Sequence, residues 1–128
     1  TANHRGFIRT LGGRRCRFEQ WEPVIGEGSP LPKDKAEDAY GSSIKRSYTY
    51  RALNRLIQGS AADMTKLAMR DSWAMGHVPH LQIHDELDYS VESDAQSQEI
   101  QELMTHCVDL VVPLKVDVEY GDNWGNIQ

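Results

Sequence analysis

Three adjacent polar side chains, His84, Asp85 and Glu86, stand where two short apolar runs meet, Leu81-Gln82-Ile83 before them and Leu87-Asp88-Tyr89-Ser90-Val91 after. Runs of that composition are β-forming, so the triplet reads as the tip of a hairpin that displays a carboxylate pair. Carboxylate oxygens are hard ligands. Mg²⁺ keeps several waters and takes one or two protein carboxylates together with substrate phosphates, which is the chemistry such a tip can offer. The neighbouring histidine can hold a phosphate or sugar oxygen. Solvated charge is also ordinary at a hairpin tip, so the triplet takes its meaning from the rest of the chain.

The second chemical signal is an asymmetry of charge. From Asp85 to the end the chain carries acidic side chains against a single lysine, Lys115, whereas the opening stretch holds Arg5, Arg9, Arg14, Arg15 and Arg17 and no acid. One end can therefore face a polyanion, or the arginines simply solvate a β-ribbon. His77, His80 and His84 lack the spacing of a zinc site, and Cys16 and Cys107 stand far apart without a disulfide framework, as free thiols of a reducing, cytoplasmic setting do. Trp21, Trp73 and Trp124 read as packing residues.

These side chains need elements to position them. A chain of 128 residues, 39% hydrophobic and 26% charged, is ordinary globular composition, and no apolar run approaches the length of a membrane span. Gly6 to Leu11 and Arg14 to Trp21 are β-like runs around Gly12-Gly13, a hairpin signal. Glu22 to Ser47 has no sustained period and reads as a long surface excursion, with room for a short helix near Lys33 to Ala39.

Tyr50 to Met75 is the strongest helix candidate, ending at Gly76 as its C′ residue. At about 100° per residue, Leu53, Leu56, Ile57, Met64, Leu67, Ala68 and Met75 gather on one face beside a polar stripe of Arg51, Asn54, Gln58 and Thr65. Gly59, Ser60, Ala61 and Ala62 keep the middle slim, which predicts the close approach of another backbone or a bulky partner. Ser93 is placed to cap a second helix running to about Val111, and Pro113 to Tyr120 alternates with period two as a half-buried strand.

Four separated blocks point one way together: Gly6 to Arg15, Asn54 to Lys66 (Asn-Arg-Leu-Ile-Gln-Gly-Ser-Ala-Ala-Asp-Met-Thr-Lys), Gln82 to Glu86, and Gly121 to Trp124. In that order and spacing they resemble the C-terminal part of the palm of family A DNA polymerases, the bacterial DNA polymerase I type. Arg46-Ser47-Tyr48-Thr49-Tyr50 after the excursion looks most like the phage branch. The resemblance implies an α+β fold, an antiparallel palm-type sheet with hairpins backed by two helices, the chain 1–128 being one palm segment with its excursion at 22–47.

It also implies roles. Asp85 matches the family's second catalytic aspartate, a ligand to the two Mg²⁺ ions of nucleotidyl transfer; Glu86 matches its acidic neighbour, and His84 the residue near the primer-terminal phosphate. Asn54 and Gln58 match residues beside primer-template DNA, where an amide donor reaches the acceptors that every base pair shows in the minor groove. Arg14 and Arg15 are candidates for phosphate contact. An arginine of the bacterial branch falls on Tyr50, with Arg51 one position later as the remaining DNA-binding candidate.

The family's first catalytic aspartate, its fingers helix that binds the deoxynucleoside triphosphate and its exonuclease domain have no counterpart in these residues. The expectation is accordingly a DNA-directed DNA polymerase segment that is inactive alone and is completed by another segment or chain. The alternative is a non-catalytic remnant or accessory module that binds duplex DNA through Arg14, Arg15, Asn54 and Gln58.

Overall fold

The computed structural model describes residues 2–126, which divide into two units, Thr1–Asp63 and Met64–Gln128. Helices and antiparallel strand pairs alternate along the chain, as the α+β expectation requires.

The first unit opens with a short helix α1 (Ala2–Arg5) and the ribbon β1 (Phe7–Arg9) and β2 (Arg15–Arg17), paired Phe7 to Arg17 and Arg9 to Arg15. Its loop is built by Thr10. The Thr10 and Arg14 backbones close the pair at 2.9 Å, Gly13 N–H donates to Thr10 O at 3.0 Å, and Gly13 takes φ 82°, the left-handed geometry that such a tight hairpin loop demands and glycine supplies without strain.

The second β-like run breaks after Arg17. Trp21 belongs to β3 (Gln20–Pro23), the centre of a separate sheet between β4 (Leu31–Pro32) and β5 (Ile44–Arg46), with α2 (Lys33–Tyr40) following β4. The 22–47 excursion therefore holds regular structure beyond the expected short helix. Strands of two to four residues are too short to print a period on a sequence, which is why their pairing was not legible.

Arg46 ties this sheet to the start of the chain. Its guanidinium lies 4.5 Å from the Trp21 ring centre and donates to Phe18 O (2.8 Å) and Asn3 O (3.2 Å). Glycine suits position 6 beneath it, because the backbone is at φ 72° and a Cβ there would stand 2.7 Å from the guanidinium carbon and displace it.

After a 3-10 turn (Thr49–Arg51), α3 runs over Ala52–Ala74. It ends as its sequence predicts. Gly76, at φ 90°, sits at C′, with Gly76 N–H donating to Trp73 O and His77 N–H to Ser72 O, a Schellman motif. The expected apolar face is covered only in part, at Ala68 and more weakly at Leu56, Met64 and Leu67. Leu53 and Ile57 of that face are 68% and 60% exposed, whereas the polar Asp63, Thr65 and Ser72 are wholly or nearly buried. Hydrogen-bonding partners supplied by distant residues decided that, a factor that periodicity omits.

In the second unit β6 (Leu81–Ile83) pairs with β7 (Glu86–Asp88), and α4 spans Asp94–His106. Ser93 caps α4 as expected, accepting from Gln96 N–H at 3.3 Å, while the Gln96 side chain reaches back to Glu92 N–H at 2.8 Å. The strand expected at 113–120 does not form. The segment is instead held to α4 by Gln101 Nε2 donating to Val116 O (2.8 Å) and by the Ser97 and Tyr120 hydroxyls (2.8 Å apart). Alternation marks one half-buried face, but a strand also needs a ladder partner, and none pairs with this segment among the described residues. No described helix is long and apolar enough to cross a membrane.

Candidate functional site

The candidate residues fall into two groups, one in each unit, and each group has its own geometry.

In the second unit the β6–β7 register pairs Leu81 with Asp88, Gln82 with Leu87 and Ile83 with Glu86, which leaves His84 and Asp85 as a two-residue turn. Right-handed strand twist favours turns with positive φ at the first central residue, and His84 adopts φ 54° there, where glycine is the usual occupant. A second bond secures that conformation: Gln82 Nε2 donates to His84 O at 2.7 Å. The sequence expectation of a carboxylate-tipped hairpin is thus realised, with Asp85 in the turn and Glu86 opening β7.

Both carboxylates are exposed, and neither has a hydrogen-bond or ion-pair partner among the described residues. No group of three or more metal-ligating side chains occurs among those residues. Two free hard-oxygen donors at one tip fit the share that Mg²⁺ takes from protein when phosphates and water complete its shell; they do not make a closed cage.

The base of this hairpin is tied down by buried polar groups. The wholly buried Ser72 hydroxyl donates to His77 O (3.1 Å) and lies 2.9 Å from the Tyr89 hydroxyl. A hydroxyl has one proton, so Tyr89 O–H is the donor in the second bond. Burial pushes the Tyr89 phenol up from its ordinary range. His77 Nε2 stands 3.2 Å from Glu99 Oε2 but out of line for a hydrogen bond. No local sequence signal marks these residues, because their partners lie many positions away.

In the first unit Asn54 and Gln58 lie exposed on α3, four residues apart and therefore on one side of the helix. Arg51, just before them, is clamped: its guanidinium lies 5.0 Å from the Tyr48 ring centre and 5.3 Å from that of Tyr50, and its Nε donates to the Tyr50 hydroxyl at 3.1 Å.

Arg14 is engaged elsewhere. Its Nε pairs with Asp63 Oδ1 and its Nη2 donates to Gly59 O at 2.9 Å, locking the ribbon loop onto α3. Gly12 N–H donates to the other Asp63 oxygen at 2.9 Å and Leu11 N–H to Ser60 Oγ at 3.0 Å. The Thr10 hydroxyl, Gly12 N–H and Arg14 together hold the Asp63 carboxyl below its ordinary range. The slim stretch of α3 is explained at the same time, since a Cβ on Gly59 would meet Thr10 Cγ2 at 2.7 Å. Arg15 keeps an exposed guanidinium, stacked 4.9 Å from the Phe7 ring centre. Asp63 is the residue that sequence reasoning missed; the available signal was an acid in the middle of a helix that carries only one other, Asp71.

Antiparallel hairpins, one of them tipped with paired carboxylates, and a helix with an exposed amide pair make up a mixed α and β fold. Residues 1–126 match the family model of DNA polymerase family A, and the chain belongs to that family. It is 41% identical over 121 residues to a DNA-directed DNA polymerase of Pseudomonas phage M6, covering 94% of this chain and 15% of that protein. It is 32% identical over 127 residues to the thermostable DNA polymerase I of Thermus aquaticus, covering 94% of this chain and 13% of the other. Among solved structures it resembles the POL domain of Pol1 from M. smegmatis in complex with DNA primer-template and dNTP, with a TM-score of 0.64 and 32% identity over 96% of this chain and 20% of that one. The chain thus spans a small part of the length of these relatives.

Proposed function

We propose that the chain is a C-terminal palm segment of a DNA-directed DNA polymerase. In this reading Asp85 binds Mg²⁺, Glu86 supports it with a smaller share, and His84 holds the primer-terminal phosphate. Asn54 and Gln58 lie along the minor groove of the primer-template, and Arg15 contributes a phosphate contact. Arg14 acts indirectly, by fixing the ribbon through Asp63 and Gly59. A further segment or chain supplies the first aspartate and the fingers, so the chain alone is inactive.

The observation that carries this reading is the turn itself: a strained His84, braced by Gln82, presents two unpartnered carboxylates at one tip. When bound, Mg²⁺ supplies activation of a primer 3′-hydroxyl and neutralisation of triphosphate charge. The protein's own share is to hold oxygen ligands and duplex in place. The reaction joins the 3′-oxygen to the α-phosphorus of a deoxynucleoside triphosphate and releases pyrophosphate.

The test is Mg²⁺-dependent primer extension by the complex recovered with this chain from its native host, beside an Asp85→Asn version. Synthesis that disappears with the substitution, while the complex stays folded and bound to DNA, supports the reading. A folded, DNA-binding protein with no synthesis and no polymerase partner would instead make it a binding module, and extension by the purified chain alone would overturn the proposed need for a partner.

A further inference from the structure

Resting on the reading that Asn54 and Gln58 face duplex DNA, the geometry points to Tyr50 as a further duplex-contacting residue, with Arg51 as the residue that positions it.

Four observations converge. Tyr50 is 76% exposed, so its ring and hydroxyl are accessible to a partner. It stands in the 3-10 turn that leads directly into α3, four residues before Asn54 and eight before Gln58. Its ring is held on two sides, by the Arg51 guanidinium 5.3 Å away and by the Tyr48 ring 6.5 Å away at 52°. Finally, Arg51 Nε donates to the Tyr50 oxygen at 3.1 Å.

The Arg51 hydrogen bond sets the chemistry. An oxygen that accepts from a cation keeps its own proton for donation, and the nearby positive charge makes that O–H a stronger donor. Tyr50 therefore offers a hydrogen-bond donor, oriented before binding, to an acceptor on the duplex in line with those met by the two amides. Rigid aromatic donors lose little side-chain freedom on binding, unlike a free arginine. Arg51, stacked between two rings with its Nε proton engaged, serves as a positioning residue and does not bind a phosphate.

The experiment is equilibrium binding of a primer-template duplex, across a salt series, to the polymerase assembly that contains this chain. Tyr50→Phe removes the hydroxyl and keeps the ring; the expected result is binding weakened about fivefold, the worth of one hydrogen bond. Arg51→Ala should weaken binding to a similar degree, the double variant should be no worse than either single one, and the slope of log K against log salt should be unchanged. A slope reduced by about 0.9 in Arg51→Ala means that the arginine itself neutralises a phosphate, and overturns the positioning role. Normal binding by Tyr50→Phe while Asn54→Ala binds weakly overturns the inference and leaves the DNA-facing reading standing; normal binding by Tyr50→Phe, Asn54→Ala and Gln58→Ala overturns both.

Discussion

Arg14 Nε donates to Asp63 Oδ1 across 49 residues of sequence and joins the loop of the β1–β2 ribbon to the middle of α3. Asp63 is buried while Arg14 is half exposed, so the two partners are not equivalent. Removing the arginine lets water and Gly12 N–H serve the carboxylate. Removing the carboxylate leaves Gly12 N–H and the guanidinium without their shared acceptor. Asp63→Ala is expected to destabilise the protein by about 1–3 kcal/mol, and Arg14→Ala by less, in denaturant unfolding.

The same carboxyl sets an acid limit. Its folded pKa lies below the ordinary 3.8, so the unfolded chain takes up a proton at higher pH than the folded one. The stabilisation is fully present above 3.8 and is lost as pH falls below that value through the depressed folded one. Stability measured from about pH 6 down to about pH 3 should fall more steeply for the native protein than for Asp63→Asn, which has no such proton to bind.

Gly59 should resist the usual benefit of alanine in a helix. Gly→Ala in an open helix gains about 1 kcal/mol. Here the new methyl would stand 2.7 Å from Thr10 Cγ2 in a loop closed by several hydrogen bonds, so overpacking of about 1–3 kcal/mol reverses the sign. Thr10→Ser removes that methyl and keeps the hydroxyl. The double variant Gly59→Ala with Thr10→Ser is expected to recover most of the deficit in thermal unfolding.

Gln82 is expected to stiffen the hairpin tip. Its amide holds His84 O while His84 keeps a positive φ. Gln82→Ala removes about 1 kcal/mol of bracing, and hydrogen exchange at the Asp85 and Glu86 amides should quicken about fivefold without change in the protection of α4. Unchanged exchange at those two amides would show that the turn needs no brace.

Ser72 carries the base of that hairpin. Ser72→Ala leaves His77 O and the Tyr89 hydroxyl without their shared partner in a buried place, at a cost of about 1–3 kcal/mol in unfolding free energy. Ser72→Cys, close in size but a poor hydrogen-bonder, separates the bond from the volume it fills.

Much of this molecule is legible in its sequence wherever the cause is local. Gly13 and Gly76 take the left-handed conformations their turns require, Ser93 caps the helix it precedes, and the His84-Asp85 turn falls between the two runs that flank it. Each depends on residues within a few positions, so composition and spacing suffice. The tertiary structure decided what depends on partners far along the chain. It gave Arg14, a candidate phosphate contact, an ion-pair partner in Asp63, buried Ser72 while leaving Leu53 and Ile57 exposed, built a sheet from strands spanning 20–46, and left 113–120 docked on α4 without a ladder. A periodic pattern records which side of an element is apolar; which side is covered, and which polar groups find partners there, follows only once distant segments have met.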